Sequence, residues 1–206
     1  MDRIRVMVVD DHAIARVGLV SLLETEEGIE VVGQCEDGEA ALADALRLKP
    51  DVVVMDLMMP KKDGVAATRE IRAQLPDTRI LILTTFGASD DIAHALEAGA
   101  TGALMKNTGI TELIETIRAV ADGRRAVAPE IEQMIAECPP VPELTRRQME
   151  ILHSVTRGLT NRDIACQLGI TIDCVKDHIN SILLKIGAAN RSEAVAIALR
   201  KHLLKI

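Results

Sequence analysis

Val6-Met7-Val8-Val9-Asp10-Asp11 is a run of four apolar residues that stops on two carboxylates, and the same form recurs three times further along the chain. Val52-Val53-Val54-Met55 ends in Asp56, Ile80-Leu81-Ile82-Leu83 ends in Thr84, and Ala103-Leu104-Met105 ends in Lys106. Short continuous apolar runs fit strands buried on both faces, the condition of a parallel sheet covered by helices on each side. Ligands of such open α/β sheets bind outside the carboxyl ends of the strands. Three carboxylates, a hydroxyl and an ammonium are therefore expected to share one pocket. Crowded carboxylates repel one another, and a hard divalent cation with oxygen ligands is the natural partner for them.

Outward from these runs, residues 1–123 alternate strand-like and helix-like stretches. Helices are expected at Ala13 to Glu24 (with Leu19, Leu22 and Leu23 inward), Gly38 to Leu48, Asp63 to Gln74, Ser89 to Glu97 and Gly109 to Ala121. A further strand is expected at Glu30 to Cys35. Five βα units of this size predict a doubly wound, five-stranded parallel sheet. Alternation by itself does not give the strand order.

A composition break follows. Pro129, Pro139, Pro140 and Pro142 are four of the chain's seven prolines. Residues 124–142 therefore read as a linker, with room for a short helix from Ile131 to Ala136. Residues 143–206 carry four helical patterns and no strand. Thr145-Arg146-Arg147-Gln148 is a capping box, Thr160 and Thr171 open the next two helices, and Asn190 with Glu193 opens the last. Gly158 and Gly169 stop the first two.

The charge is unevenly divided. Residues 1–140 hold 14 Lys+Arg against 25 Asp+Glu, a balance of −11, and residues 141–206 hold 10 against 6, a balance of +4. A basic end on an acidic chain suggests that only the end meets a polyanion. Phe86 is the only aromatic residue, which argues against single-strand platforms that stack bases on rings. Cys35, Cys138, Cys166 and Cys174 have neither zinc nor disulfide spacing and are expected as reduced thiols. No apolar stretch approaches the ~20 residues needed to span a bilayer, and the apolar run at the start is too short for a signal core. A cytoplasmic protein without a membrane partner is expected.

With Met55-Asp56-Leu57-Met58-Met59-Pro60-Lys61-Lys62-Asp63-Gly64 added to Asp10-Asp11, Thr84 and Lys106, residues 3–123 resemble the receiver domain of two-component response regulators. The resemblance implies a flavodoxin-like fold and a sensor histidine kinase as partner, with Asp56 as the phosphoacceptor. It implies Mg²⁺ on Asp10, Asp11, Asp56 and the Met58 backbone carbonyl. It also gives Lys106 the role of pairing with a phosphoryl oxygen and Thr84 that of donating to another. One position departs from the pattern: Ala103 stands where many receivers carry a Tyr or Phe that swings inward. Either Thr84 and its loop carry the signal alone, or Phe86 substitutes. Met58 and Phe86 flank the expected phosphoryl group with apolar groups that offer water no general base, which predicts slow loss of the phosphoryl group.

The string Leu144-Thr145…Gly158-Leu159-Thr160-Asn161…Val175-Lys176-Asp177-His178…Lys185-Ile186-Gly187…Asn190-Arg191-Ser192-Glu193-Ala194 resembles the LuxR-type helix-turn-helix DNA-binding domain. A receiver followed by such a domain resembles the NarL/FixJ class. The resemblance implies a recognition helix over 172–185 in the major groove of double-stranded DNA. Contacts are expected from Thr171, Lys176, Asp177, Asn180, Lys185 and Arg191. Asp177 either accepts from cytosine, repels wrong sites or pairs with Lys176. The last helix would join two copies through Ala194, Val195 and Ala198, or be buried inside one domain; a homodimer predicts an inverted repeat of half-sites. The expected function is a phosphorylation-controlled transcriptional regulator rather than an enzyme. An aspartyl phosphatase would place a second acid two residues after Asp56, where Met58 stands. The alternative is a phosphorylation-independent regulator whose receiver is a dimerisation module.

Overall fold

The computed structural model describes residues 3–85, 89–137 and 144–200. Two compact units, Met1–Pro140 and Val141–Ile206, are each built around a separate core.

The first unit is a parallel sheet of β1 (Ile4–Val9), β2 (Ile29–Cys35), β3 (Val52–Asp56), β4 (Arg79–Thr84), β5 (Gly102–Met105) and a two-residue β6 (Ala126–Val127), in the order β2-β1-β3-β4-β5-β6. The order reverses between β1 and β3, and that switch point opens a crevice at the carboxyl ends of these two strands. Asp10 follows the end of β1 and Asp56 ends β3. The connecting helices are α1 (Ala13–Glu24), α2 (Gly38–Leu48), α3 (Gly64–Gln74), α4 (Ser89–Glu97) and α5 (Ile110–Ala121). Their caps follow the sequence: the Asp37 carboxylate accepts from Glu39 and Ala40 at the start of α2, and Asp63 from Ala66 at the start of α3.

Two expectations change. Leu22 is 49% exposed, because α1 lays Leu19, Val20 and Leu23 on the sheet and Leu22 lies off that line. Residues 124–137 are not linker: β6 pairs with β5, and α6 (Pro129–Glu137) buries Ile131 completely in the core of the first unit. The Ala128 N–H donates to the Ala103 carbonyl, tying the turn between them to the sheet.

The second unit holds α7 (Arg146–Thr156), α8 (Asn161–Leu168), α9 (Ile172–Ile186) and α10 (Arg191–Arg200) around Ile151, Leu152, Ile164, Val175, Ile182 and Ala198. Gly169 and Gly187 adopt left-handed conformations at the ends of α8 and α9, where a side chain would be strained. Among the described residues no helix is long and apolar enough to cross a membrane.

Candidate functional site

The crevice at the switch point collects the polar residues expected there. Asp10 is 5% and Asp56 4% exposed, so both carboxylates sit in the rim of the core rather than in water. Lys106 reaches them from the end of β5, with Nζ 2.7 Å from Asp10 Oδ2 and 2.7 Å from Asp56 Oδ2. Its backbone is fixed by an N–H bond of 2.7 Å to the Thr84 carbonyl. The second oxygen of Asp56 accepts a long bond, 3.4 Å, from the Met58 N–H. Asp10 Oδ1 accepts from the His12 N–H at 2.8 Å, and the Asp10 carbonyl accepts from Arg16 at 2.5 Å.

Burial pushes the Asp56 carboxyl above its ordinary value, and the nearby Asp10 charge acts in the same direction. The Lys106 hydrogen bond opposes both without fully offsetting them. Burial also works against the Lys106 ammonium, but its bonds to Asp10 and Asp56 outweigh burial and hold its pKa above that of an ordinary lysine. One ammonium thus neutralises two buried carboxylates, and the third acid, Asp11, faces the His12 ring.

The pocket has the donors a hard cation needs. Single ligand atoms of Asp10, Asp11, His12 and Asp56 all lie within 4.8 Å of one another. Asp11 Oδ1 is buried and accepts no hydrogen bond, and it pairs with His12 Nδ1 at 2.7 Å. A hard cation would add a partner for that oxygen.

Gly64 lets this pocket close. Its N–H donates to the Leu57 carbonyl at 3.0 Å, and a Cβ there would stand 2.2 Å from the Asp56 carbonyl oxygen. The start of α3 thus lies directly against the chain that carries the candidate phosphoacceptor. Thr84 is buried at the same sheet end, and its hydroxyl donates to the Thr85 carbonyl at 3.3 Å. Phe86 lies outside the described residues.

In the second unit, α8, a turn at Gly169 and α9 form a helix-turn-helix. Thr171 Oγ1 accepts from the Cys174 N–H and opens α9. Gln148 does more than cap α7. Its Oε1 accepts from the Thr145 N–H and from Lys185 Nζ at 3.1 Å, and its Nε2 donates to Ser181 Oγ at 2.9 Å. A single buried amide therefore holds α9 against the start of α7. On the outer side of α9, Lys176, Asp177 and Asn180 are exposed.

Residues 6–118 match the family model of the response regulator receiver domain, and residues 142–198 match that of bacterial regulatory proteins of the luxR family. The chain is a response regulator of the NarL/FixJ class. This response regulator is 38% identical to the transcriptional regulatory protein LiaR of Bacillus subtilis (strain 168), over 98% of this chain and 99% of that one. It is 37% identical to the response regulator protein VraR of Staphylococcus aureus (strain NCTC 8325 / PS 47), again over 98% and 99%. Among solved structures it is similar to the response regulator ChrA of a heme-sensing two-component system, with a TM-score of 0.59 and 37% identity over 99% of this chain and 100% of that one.

In this response regulator the expected residues separate into four groups. Asp10, Asp11, Asp56 and Lys106 come together, and Thr84 shares their sheet end with its hydroxyl turned to its own strand. Lys176, Asp177 and Asn180 stand on the open side of α9, but Lys176 pairs with Asp173 at 2.9 Å, one turn earlier, and not with Asp177. Lys185 and Arg191 have internal work instead of facing outward as free cations. Lys185 bonds Gln148, and Arg191 bonds the Asn161 side chain and the Leu159 carbonyl, fastening the start of α10 to the turn before α8. The α10 interface also changes: Ala194 and Ala198 are 2% and 0% exposed and fill the unit's own core, which leaves half-buried Val195 and exposed Leu199 toward solvent. Sequence reading gave no role to Gly64 or Arg16 and saw Gln148 only as a cap. The signal for Gln148 was a long amide at the cap box facing the inner stripe of α9.

Proposed function

We propose that this regulator accepts a phosphoryl group on Asp56 from the phosphohistidine of a sensor kinase, acts in the cytoplasm, and binds double-stranded DNA through α9 in response. The observation that carries the reading is the convergence of Lys106 on Asp10 and Asp56 at the switch point of the sheet. An Asp56 carboxylate oxygen forms the new bond to phosphorus as the phosphorus–nitrogen bond breaks, and the imidazole keeps the electron pair. Lys106, already within reach of both carboxylates, shifts to a phosphoryl oxygen as a point charge. The Thr84 hydroxyl turns from the Thr85 carbonyl to another phosphoryl oxygen, which moves the end of β4. Asp10, Asp11, Asp56 and the Met58 carbonyl would hold Mg²⁺, which when bound supplies charge neutralisation for the transferring oxygens. Met58, 56% exposed at the rim, offers water no base, so the protein dephosphorylates itself slowly and is not an enzyme.

On DNA, Thr171, Lys176, Asp177 and Asn180 are the residues of α9 placed to meet the major groove, with Asn180 suited to adenine and Lys176 to guanine or phosphate. Two copies bind an inverted repeat, joined through the Val195 and Leu199 side of α10. A second reading, a phosphorylation-independent regulator whose receiver only dimerises, is favoured by Ala103. This side chain is fully buried on β5, between β4 and β6, and cannot swing as an aromatic ring would. DNA binding by wild type and Asp56→Asn, with and without acetyl phosphate and Mg²⁺, separates the two. Phosphorylation control predicts tighter binding of the treated wild type only, whereas equal binding in all four samples supports the second reading.

A further inference from the structure

We propose that Arg16 is a positioning residue for the cation pocket: its guanidinium holds the peptide plane between Asp10 and Asp11 and so sets the direction of both carboxylates. The inference rests on the reading of this pocket as a Mg²⁺ site and concerns which residue outside the ligands keeps that site in shape.

The peptide bond is planar, so the Asp10 carbonyl and the Asp11 N–H turn together. Whatever fixes that carbonyl therefore fixes the link between the two acids. Arg16 lies on α1 and reaches back toward the start of the helix, the direction that helical side chains favour. Its Nη1 donates to the Asp10 carbonyl at 2.5 Å. On the other side of the same residue, the Asp10 N–H donates to the Cys35 carbonyl at the end of β2, at 3.1 Å. One backbone group of Asp10 is thus held by β2 and the other by α1.

The turn into α1 has little else to set it. α1 begins without a side-chain cap and without an acid in its first turn, whereas Asp37 and Asp63 cap α2 and α3. The His12 N–H bonds Asp10 Oδ1, which leaves the Asp10 carbonyl to Arg16.

The sign of the charge separates this role from simple electrostatics. Arg16 is half-buried and, among the described residues, pairs with no carboxylate, so its charge stays in force beside the pocket. A fixed positive charge repels Mg²⁺ within a screening length of ~10 Å. By charge alone Arg16 hinders Mg²⁺; by its bond to the carbonyl it helps.

Mg²⁺ titration of the full chain, followed by backbone amide NMR shifts, tests this with wild type, Arg16→Gln, Arg16→Lys and Asp11→Asn. Arg16→Gln should weaken Mg²⁺ about tenfold, as loss of a bond that orients a metal ligand does, and Arg16→Lys should recover part of that loss. The phosphorylation of Arg16→Gln by acetyl phosphate should need correspondingly more Mg²⁺ for half its maximal rate and should recover as Mg²⁺ is raised. Equal or tighter Mg²⁺ binding by Arg16→Gln would overturn the proposal and leave Arg16 acting through its charge. A lower urea midpoint with unchanged Mg²⁺ affinity would also overturn it and make Arg16 a brace of the fold alone. If Arg16→Gln does not fold, Arg16→Lys decides: it should weaken Mg²⁺ about threefold or more, and wild-type affinity would contradict the role of the guanidinium. Mg²⁺ binding undiminished in Asp11→Asn would overturn the pocket itself, whatever Arg16 does.

Discussion

Asp37 shows how one carboxylate can link an element to a loop near the pocket. It is nearly enclosed, accepts the Glu39 and Ala40 N–H groups that open α2, and takes Lys61 Nζ at 2.5 Å. The Ala40 N–H first, and the Lys61 hydrogen bond after it, hold its carboxyl below the ordinary aspartate value. A pKa lower in the folded than in the unfolded chain adds stability that is present above the ordinary value of about 3.9 and lost as pH falls through the folded value. Asn keeps the cap and removes the charge. Urea unfolding should therefore show wild type more stable than Asp37→Asn near neutral pH, with the gap closing below about pH 4; a gap that persists unchanged in acid would contradict this. Cys35 carries a second residue-level expectation. Burial, then the hydrogen bond to Asp44, pushes its thiol up to about 12, so it stays protonated and unreactive. Alkylation of the native protein, read by peptide mass spectrometry, should modify exposed Cys166 and Cys174 well before Cys35. Gly64 is the residue with least freedom, since a methyl group there meets the Asp56 carbonyl oxygen at 2.2 Å. Gly64→Ala should cost about 3 kcal/mol or more in urea unfolding, and a near-neutral effect would show that α3 can shift away without loss.

At the level of elements, β6 and α6 test where the receiver ends. Ile131 is fully buried in the first core, so Ile131→Ala should destabilise that unit by about 2–5 kcal/mol. A chain cut after residue 123 should likewise unfold at lower urea than one cut after 140, and equal stabilities would return this segment to the status of a linker. Gln148→Ala, which removes one arm of the cap and the tie to Ser181 and Lys185, should cost about 1–2 kcal/mol in the second unit. Much of this architecture is legible in the sequence because its signals are local: each strand of the crevice ends on a polar residue, and Thr145, Thr160, Thr171 and Asn190 cap the helices they precede. What stays hidden is what depends on distant partners. Strand order is set by which helices cross which face, a choice that alternation leaves open. Pro129 looks like a break, yet proline is favoured in the first turn of a helix, and α6 begins on it. Ala194 and Ala198 are small enough for a close helix contact of either kind, and the structure spends them inside the domain. Arg191 and Lys185 look like phosphate ligands by charge alone, and their bonds to Asn161, Leu159 and Gln148 come from segments remote in sequence.

Over the whole molecule, an acidic receiver and a basic helical unit divide two proposed tasks, one the uptake of a phosphoryl group and the other the meeting with a polyanion. Binding through the basic unit should weaken about tenfold or more between ~50 and ~200 mM salt, because each neutralised phosphate releases a counterion. Salt-independent binding in a gel-shift or anisotropy titration would contradict a phosphate-contact interface. Asp10, Asp56 and Lys106 meet in one crevice, the arrangement on which the proposed phosphoacceptor role of Asp56 depends. Intact-mass measurement of the full chain after incubation with acetyl phosphate and Mg²⁺ decides that role. The wild type should gain one phosphoryl group and lose it only over many minutes, and Asp56→Asn should gain none; equal incorporation in Asp56→Asn, or none in the wild type, would contradict the assignment.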